Sequence, residues 1–453
     1  MLCQSAMRTR ANDWSSADAA PKMGAARSFR WIVSQEGSRE SYAVPLAFHR
    51  LNMLRLFYAD IWCRHGRGIL GRGPGGARAL ATRFHAGIPS DRVVSFSLAG
   101  IFSRAALHFQ RPHACPAALA NEYCRFGRWF ALRVRQHLKN LEVEPERDLF
   151  FGFNTNCLET LELLKDRRVF TVVDQVDPAR LHDEAVRAEG ELWPGWAQAP
   201  GGKPESYWER LKAEWAAADL VLVNSEWSGT ALLKQGVLRE KIIIVPLAID
   251  LGAHVASEPV KPGKTLKVLW LGSVILSKGI QYLAEAARLL KGQDIEFLVA
   301  GPVGISDRAV QTFPPNMKVL GRVTRDKLGE VYRQAHVFVL PTISDGFAVT
   351  QLEAMARGLP VVTTPNCGRV VADGVDGFIV PARDGKALAD ALARLNNDRA
   401  LLREMSRNAL TTVRKYDLPS NAILINEQVA KHHPHWPSEA TNENHHLGHQ
   451  LLP

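Results

Sequence analysis

The feature that most constrains this chain is the regular alternation of short apolar runs with amphipathic helical patterns, which indicates parallel sheets flanked by helices. Several of the runs lack polar residues at every second position, as expected of strands that are buried on both faces. The predicted strands are 30–34, 93–98, 149–153, 169–173, 220–223, 242–245, 268–271, 297–300, 337–340, 361–363 and 377–380.

The length and one loss of periodicity indicate two domains. A chain of 453 residues exceeds what one core usually supports, and prolines and glycines cluster near 250–266. We therefore predict an α/β protein with two Rossmann-like, doubly wound domains that face each other across a cleft. The predicted segments are a tail (1–27), an N-terminal domain (28–250), a linker (251–266), a C-terminal domain (267–415), a helix returning toward the N-terminal domain (416–431) and a His-rich tail (432–453).

Positive charge is concentrated in the N-terminal half. Residues 27–139 contain seventeen arginines and one lysine against five acidic residues. Such a field favours anionic partners, although a solvated arginine-rich surface is an equally simple reading. Zinc-finger spacing, an RNA-binding aromatic signature and heptads after a basic region are all missing, so we do not expect a nucleic-acid partner.

The rest of the composition excludes several classes of protein. The six cysteines are scattered, without the spacing of a zinc site or a disulfide framework. The sequence has neither a long apolar run nor a signal-peptide core, which predicts a cytoplasmic protein. Peripheral contact with an anionic membrane through the basic half is a further expectation.

The segment 268–279 is typical of a phosphate-binding turn. A buried strand leads through a glycine turn into a helix that begins after Lys278 and Gly279. A turn of this kind directs backbone N–H groups and an ammonium at a bound anion. Every doubly wound fold contains strand, glycine and helix in this order, so the pattern alone does not settle the ligand.

Two carboxylates in the segment 337–363 suggest a ligand clamp. Asp345 lies in a glycine-containing loop and Glu353 on a helix predicted from 348 to 357. Eight helical positions span roughly 12 Å, too far for the two groups to share a proton. Carboxylates bind vicinal hydroxyls, and the amides of Phe347 and Ala348 suit a diphosphate. The alternatives are a surface charge for Glu353 and a helix N-cap for Asp345.

The pattern Asp-Gly-Phe-x4-Leu-Glu-Ala-Met-Ala-x-Gly-Leu-Pro-Val-Val, followed by 374–380, resembles the Glu-x7-Glu region of the retaining glycosyltransferases of family 4. The resemblance covers residues 265–415 and implies a GT-B fold and a nucleoside diphosphate sugar as the donor substrate, with no cofactor. It also implies which residues contact the donor: Glu353 the ribose, Asp345 with Gly346 the donor sugar, Lys278 the diphosphate, and the backbone of 319–323, including Arg322 and Val323, the base.

Two positions depart from the family pattern. The family usually has Glu at Asp345 and Arg at Ser273. The shorter Asp still carries the carboxylate, whereas Ser273 replaces a permanent charge by a neutral hydroxyl. A lost charge-assisted phosphate contact costs about 1.5–3 kcal/mol. Arg39 and Arg322 are candidates to supply the missing charge.

The N-terminal half contributes acceptor-side candidates. The first strand runs into a glycine loop that in GT-B enzymes faces the donor phosphates and the acceptor, which selects Gly37 on the donor side and Ser38, Arg39 and Tyr42 on the acceptor side. Asp174 ends a buried strand where the family has a residue close to the anomeric centre; a turn-forming role is its alternative. His182 and Trp193 lie in a polar, aromatic stretch that suits an acceptor groove, with core packing as the alternative for Trp193.

The combined hypothesis is a retaining, metal-independent glycosyltransferase with Asp174, Asp345 and Lys278 as catalytic residues. It moves a hexose to a glycan, a lipid-linked acceptor or a small molecule. No Asp-x-Asp metal pair ends a strand, which agrees with Lys278 and backbone amides replacing a cation. A sugar-nucleotide-binding protein without transfer activity and a GT-B epimerase remain alternatives. A dinucleotide oxidoreductase is not expected, because the Gly-x-Gly-x-x-Gly fingerprint is missing.

Overall fold

A computed structural model describes residues 29–73, 75–109, 116–197, 202–252, 255–256, 258–259, 261 and 263–433 of the chain. The tails predicted at 1–27 and, from 434 on, at the C-terminus lie outside the described residues. Residues 432 and 433, which the prediction assigned to the second tail, are described. The ring of His433 lies 4.9 Å from Phe29 and 5.0 Å from Phe170 between centroids.

The N-terminal domain is built on a parallel sheet in which seven strands are described, in the order β3-β2-β1-β4-β5-β6-β7. Its strands are β1 Arg30–Gln35, β2 Leu54–Ala59, β3 Val93–Ser95, β4 Asp148–Phe153, β5 Phe170–Gln175, β6 Leu220–Val223 and β7 Ile242–Ile244. Its helices are α1 Ala43–Arg50, α2 Arg67–Leu70, α3 Gly75–Ala81, α4 Ser97–Phe109, α5 Pro116–Lys139, α6 Leu158–Asp166, α7 Arg180–Leu192, α8 Glu205–Ala217 and α9 Glu226–Lys234. Short 3-10 turns occupy Arg39–Tyr42, Ser90–Arg92 and Arg239–Lys241.

The C-terminal domain has a second parallel sheet, with six described strands in the order β10-β9-β8-β11-β12-β13. Its strands are β8 Leu266–Leu271, β9 Ile295–Ala300, β10 Met317–Gly321, β11 Val337–Leu340, β12 Val361–Thr363 and β13 Gly377–Ile379. Its helices are α10 Ile280–Leu289, α11 Asp307–Gln311, α12 Arg325–Gln334, α13 Thr350–Met355, α14 Gly385–Asn397 and α15 Arg399–Thr412. Two 3-10 turns, Leu276–Lys278 and Val413–Tyr416, flank this domain's helices, and α16 Leu418–Ala430 follows.

Burial on both faces explains the apolar strands. In β4, Phe150 and Phe151 are both fully buried but point into different clusters on opposite faces of the sheet. The same division holds in β5, where Val172 and Val173 belong to opposite clusters. The strand ends bring the polar residues of both domains to the carboxyl edges of the two sheets.

The predicted strands largely coincide with the observed ones, with two omissions and one error. The prediction missed β2 and β10, which carry Arg55 and Lys318 among their apolar residues and therefore lack an unbroken apolar run. The strand predicted at 93–98 is wrong at its end, because the strand stops at Ser95 and α4 begins at Ser97. The hydroxyl of Ser97 accepts a hydrogen bond of 2.9 Å from the backbone N–H of Trp62, which fixes this helix start.

The chain crosses between the domains twice. After β7 it passes through 245–265 into the C-terminal sheet, and after α15 it returns. Helix α16 packs on the N-terminal domain, where Leu418, Ile425 and Val429 join the same buried cluster as Trp31 and Phe48. The two crossings lie side by side, since the N–H of Ile249 donates to the carbonyl of Tyr416 at 3.0 Å.

Helix α7 of the N-terminal domain is attached to the C-terminal domain through a buried glutamate. Glu189 has no exposed surface and accepts hydrogen bonds of 2.9 Å from Gln281 Nε2 and from the Tyr282 hydroxyl. Arg383 completes the set with an ion pair to Glu189. Just beyond α7, the indole of Trp193 packs edge-on against Tyr282 with centroids 5.8 Å apart. Charge and aromatic packing together hold this side of the cleft closed.

Candidate functional site

Two loops of the C-terminal domain are held against each other at the carboxyl edge of the sheet. The N–H of Ile343 and the hydroxyl of Thr342 both donate to the carbonyl of Ser277, at 2.8 and 2.9 Å. The turn at Gly279 has φ +74°, and a Cβ there would stand 1.8 Å from the carbonyl oxygen of Pro341. Only glycine permits this approach. The arrangement brings the predicted phosphate turn and the carboxylate loop into direct contact.

Lys278 and Asp345 form an ion pair across these two loops. Their side chains are 23% and 16% exposed, so both remain accessible from the cleft. The Asp345 N–H donates to the carbonyl of Asn366 at 3.0 Å, and the Asn366 amide donates to Ile343 at 2.8 Å, which anchors the loop from its other side. Two residues distant in sequence are therefore fixed as one charge-neutral pair, each able to exchange its partner for a ligand.

The loop after Asp345 differs from the helix start that the sequence predicts. Ala348 has φ +63°, a left-handed conformation that interrupts a helix, and α13 begins only at Thr350. Among the described residues, no hydrogen-bond acceptor is recorded for the backbone N–H of Phe347 or Ala348. A Cβ at Gly368 would stand 2.2 Å from the ring of Phe347, so this ring is packed tightly. Both amides thus belong to a fixed loop and not to a helix N-terminus.

Glu353 lies on α13, half-buried and already oriented by a neighbour. Its Oε2 accepts a hydrogen bond of 2.8 Å from the hydroxyl of Tyr332, which is 1% exposed. Burial raises the pKa of Tyr332 well above its usual range, and the charge of Glu353 raises it further. Arg357 covers the Tyr332 ring at 4.3 Å from its centroid. A packed and bonded carboxylate does not fit the alternative of a free surface charge.

The remaining donor-side candidates lie along the same edge. Gly301 donates to the carbonyl of Gly321 at 2.8 Å, which sets the position of Arg322 and Val323 after β10. Arg322 is exposed and Val323 is half-buried. Ser273 is exposed in the turn after β8. Among the described residues, neither Ser273 nor Arg322 has a side-chain hydrogen bond or an ion pair.

The glycine loop of the N-terminal domain is rigidly held. The N–H of Gly37, at φ +81°, donates to Asp60 Oδ1 at 3.0 Å. Asp60 is fully buried and is paired with Arg83 and Arg104. Two of the predicted acceptor-side residues, Ser38 and Arg39, follow at half-buried positions.

Backbone strain follows directly after this loop. Glu40, Ser41 and Tyr42 have φ of 48°, 57° and 66°, three successive left-handed residues of which none is glycine. Each such residue costs about 1–2 kcal/mol. The Tyr42 ring is 1% exposed and packs edge-on against Phe57 and Trp62, so its ring is part of the core. Trp193 is half-buried at the domain contact described above, where it packs against Tyr282.

Asp174 stands at the end of β5 and is 1% exposed. Burial raises the pKa of its carboxyl well above the usual range, the charge of Glu40 raises it further, and Arg39 opposes both. Burial also lowers the pKa of His182, on which the charges of Asp177, Asp345 and Lys278 act as well. His182 therefore lies within electrostatic range of the Lys278–Asp345 pair.

The two domains touch on both sides of Asp345. A Cβ at Gly346 would stand 1.9 Å from the carbonyl oxygen of Val176, two residues after Asp174. The indole of Trp227 donates to the hydroxyl of Ser344 at 3.2 Å. We call this contact between 176, 227 and 344–346 the domain seam. It places the Lys278–Asp345 pair beside the segment that follows Asp174.

Sequence reasoning missed Tyr332, Asn366, Trp227 and Glu189, which orient the candidate residues or join the domains. None of them stands in a motif; each acts through a contact that only the fold creates. No group of three or more His, Cys, Asp or Glu side chains that could hold a metal ion occurs among the described residues. None of the helices in that part of the chain combines the length and the hydropathy needed to span a bilayer.

Comparison with known proteins assigns the C-terminal domain. Residues 265–398 match the family model described as glycosyl transferases group 1. The capsular polysaccharide biosynthesis glycosyltransferase CapM of Staphylococcus aureus is 32% identical over 149 residues, 31% of this chain and 39% of CapM. The match therefore spans less than half the length of this relative.

Solved structures extend the similarity to the whole described fold. HepE of Anabaena, in complex with UDP and glucose, matches over 89% of this chain and 100% of its own, with 15% identity and a TM-score of 0.56. Sucrose-phosphate synthase of Thermosynechococcus elongatus matches over 89% and 98%, with 17% identity and a TM-score of 0.60. The chain has the GT-B fold.

Proposed function

From a group 1 glycosyl transferase domain set in a GT-B fold, we propose that this protein transfers a sugar from a nucleoside diphosphate sugar to a hydroxyl-bearing acceptor. The observation that supports it most is the Lys278–Asp345 pair at the domain seam, facing His182 and close to Asp174. A cation and a carboxylate side by side suit a ligand with a diphosphate next to a sugar. HepE, a structural neighbour, was solved with UDP and glucose.

In this proposal Lys278 exchanges Asp345 for the diphosphate when the donor binds. Its fixed charge then stabilises the negative charge that develops on the leaving diphosphate, without a metal ion. The amides of Phe347 and Ala348 add donors to the same group. Asp345 is released to accept hydrogen bonds from hydroxyls of the donor sugar. The proposal keeps the retention of anomeric configuration that the resemblance to family 4 implies.

Glu353 is the ribose clamp of this proposal. Tyr332 occupies one of its oxygens, which leaves the other free for a ribose hydroxyl. The backbone around Arg322 and Val323, at the end of β10, is placed to contact the base. Asp174 and His182 act from the acceptor side, His182 as a neutral imidazole because its pKa is lowered by burial.

A thermal-shift panel of UDP-, GDP- and ADP-sugars tests donor binding, since a ligand at 100 times its Kd stabilises by about 2.7 kcal/mol. NMR of the product's anomeric proton then reports stereochemistry, with EDTA as the test for a metal. Binding without turnover indicates the sugar-nucleotide-binding alternative, and conversion of the donor alone indicates an epimerase. An inverted product or loss of activity in EDTA contradicts the mechanism. If no nucleotide sugar stabilises the protein, the proposal fails entirely.

The acceptor side favours a membrane-associated substrate through one further observation. Ile69, Leu98 and Phe102 are 80%, 77% and 72% exposed on α2 and α4. Exposed arginines surround Ile69 at positions 64, 67, 72 and 78. Arg67 lies over the Phe84 ring, which packs on Trp62, whose N–H is bonded to the first turn of α4. These contacts connect the arginine-rich segment to the start of α4, which carries Leu98 and Phe102.

Such a face suits peripheral binding to anionic lipid, and the acceptor is then a lipid-linked sugar. Sedimentation with phosphatidylglycerol vesicles should deplete the protein from solution, and phosphatidylcholine vesicles should not. Phe102→Ser should reduce the bound fraction severalfold. Equal binding to both vesicle types would mean that the arginines do not recognise anionic lipid. The arginine-rich face would then be an ordinary solvated surface.

A further inference from the structure

Two polar side chains stand at the ends of neighbouring strands in the acceptor domain. Asp174 lies in β5, paired with Leu222 of β6, and Asn224 follows directly after β6. Because side chains alternate along a strand, Asn224 shares a face with Leu222 and therefore with Asp174. Their side chains are 1% and 2% exposed. Two buried polar groups thus meet at the carboxyl edge of the sheet, where ligands of doubly wound domains bind.

Both side chains carry polar atoms that are not fully hydrogen-bonded. Neither the Asn224 amide nor Asp174 Oδ1 has a partner at full hydrogen-bond distance and angle among the described residues, although Asn224 lies close enough to Asp174 to lower the pKa of its carboxyl through a side-chain contact. The neighbouring Gln175 is fully bonded, since its amide accepts from Trp215 at 3.1 Å and donates to Asp177 at 2.9 Å. Most buried polar atoms in proteins are hydrogen-bonded. Asp174 can engage only part of the donor and acceptor capacity of the Asn224 amide, which leaves the rest for a ligand.

The position of the pair fits the acceptor side of the transfer reaction. Val176, two residues beyond Asp174, touches Gly346 at the domain seam. Asp345 is the next residue along the loop and is paired with Lys278. The unsatisfied amide and carboxyl thus lie behind the seam, on the side opposite the donor loops.

The chemistry of the pair is suited to hydroxyl groups. An asparagine amide offers two N–H donors and one acceptor, and a carboxyl offers an acceptor or, when protonated, a donor. Burial and the charge of Glu40 raise the pKa of Asp174 well above its usual range, whereas Arg39 and the contact with Asn224 lower it. Arg39 is the cation that acts on both Asp174 and Glu40. Its charge is offset by these two acids, so the group has no surplus positive charge for a carboxylate or phosphate.

We propose that Asn224 and Asp174 together bind two neighbouring hydroxyl groups of a neutral sugar acceptor. The inference depends on the proposed function for its reaction and adds the class of acceptor. Asn224 is a specificity-determining residue in this scheme, and an acceptor ring that carries an acidic group at the same place is rejected. The donor site, formed by the C-terminal domain, does not involve Asn224.

The test uses full-length protein saturated with the nucleoside diphosphate that stabilises it most among UDP, GDP and ADP. Saturation-transfer NMR then measures binding of four probes: the methyl glycosides of glucose, galactose and mannose, and methyl glucuronide. At least one neutral glycoside should bind, and methyl glucuronide should bind at least tenfold more weakly. In Asn224→Leu and Asn224→Asp the saturation-transfer signal of the neutral glycoside should fall at least fivefold. The affinity for the nucleotide should stay within twofold of wild type.

Melting temperatures separate binding from folding. Asn224→Leu should lower Tm only slightly, since the amide loses no more than its contact with Asp174, and Asn224→Asp keeps the shape if leucine does not fit. The control is Asn426→Leu in α16, another buried asparagine with an unsatisfied oxygen, which should leave glycoside binding unchanged. Unchanged glycoside binding in both Asn224 variants, no bound neutral glycoside, or equal binding of the glucuronide would overturn the inference. Loss of nucleotide binding in the wild type would instead refute the proposed function.

Discussion

A methyl group at position 346 should force the two domains apart at the seam. A Cβ there would stand 1.9 Å from the carbonyl oxygen of Val176, and real Cβ atoms essentially never come within 3.0 Å of another atom. Gly346 does not have a positive φ, so alanine fits its local backbone and the conflict arises only between the domains. In Gly346→Ala the Asp345 loop and Val176 must therefore separate by at least about 1.1 Å.

This displacement acts on the reaction more than on donor binding. A misplacement of about 1 Å between reacting groups costs roughly 100-fold in rate, or about 2.7 kcal/mol in the barrier. Lys278 and Glu353 lie outside the displaced loop, whereas the amides of Phe347 and Ala348 move with it, so the affinity for the nucleoside diphosphate should fall far less than the rate of transfer. The expected signature is a kcat about 100-fold lower, measured by release of nucleoside diphosphate with the best donor, and a Kd by calorimetry that rises by less than about tenfold.

The matched control is Gly329→Ala in α12, where a new Cβ meets no atom within 4 Å. Alanine should stabilise that helix by up to about 1 kcal/mol without affecting turnover. If Gly346→Ala transfers sugar within threefold of the wild-type rate, the seam described here is not the arrangement in which transfer takes place. A Gly346→Ala protein that no longer folds, by circular dichroism, would show that the seam is needed for stability instead.

Three further changes test separate contacts. Tyr332→Phe removes the hydroxyl that orients Glu353, so the KM for the donor should rise about tenfold with little change in kcat; an unchanged KM would contradict the orienting role. Ser273→Arg restores the family's cation and should lower the donor Kd by about tenfold in calorimetry, whereas no gain would mean that another group already supplies the charge. Glu189→Leu leaves the Gln281 and Tyr282 donors unpaired and should lower the free energy of unfolding in urea by about 1–3 kcal/mol. The ion pair adds little to this cost because Arg383 is 43% exposed, and unchanged stability would show that water replaces the carboxylate.

The strand pattern could be predicted because both faces of each central strand are buried. An apolar run such as 220–223 leaves no alternative to a buried strand, and its bounds were predicted correctly. Strand β2 was missed since Arg55, which is paired with the buried Asp148, interrupts its apolar run. The sequence contains no sign that a distant aspartate will neutralise this arginine. Ion pairs between distant residues therefore limit what a local pattern can predict.

The sequence likewise predicted only part of the candidate site. Lys278 and Asp345 were predicted separately, each from its own loop, but their pairing depends on Gly279 fitting against Pro341. The helix start at Ala348 was predicted two residues too early, because nothing in an alanine suggests φ +63°. Residues that act through tertiary contact alone, such as Tyr332 and Asn224, had no signal. Their roles depend on burial and on unsatisfied or shared hydrogen bonds, which only the folded chain defines.

The return of α16 to the N-terminal domain has a consequence for how the protein is made. Residues 266–416 form the described C-terminal sheet, its helices and the end of its core without any contribution from α16. The N-terminal core, in contrast, lacks Leu418, Ile425 and Val429 until the end of the described chain has been synthesised. On the ribosome the domain translated second can therefore complete its fold first. The domain translated first stays open along one face until α16 emerges, which makes that face the natural place for a chaperone to bind the nascent chain.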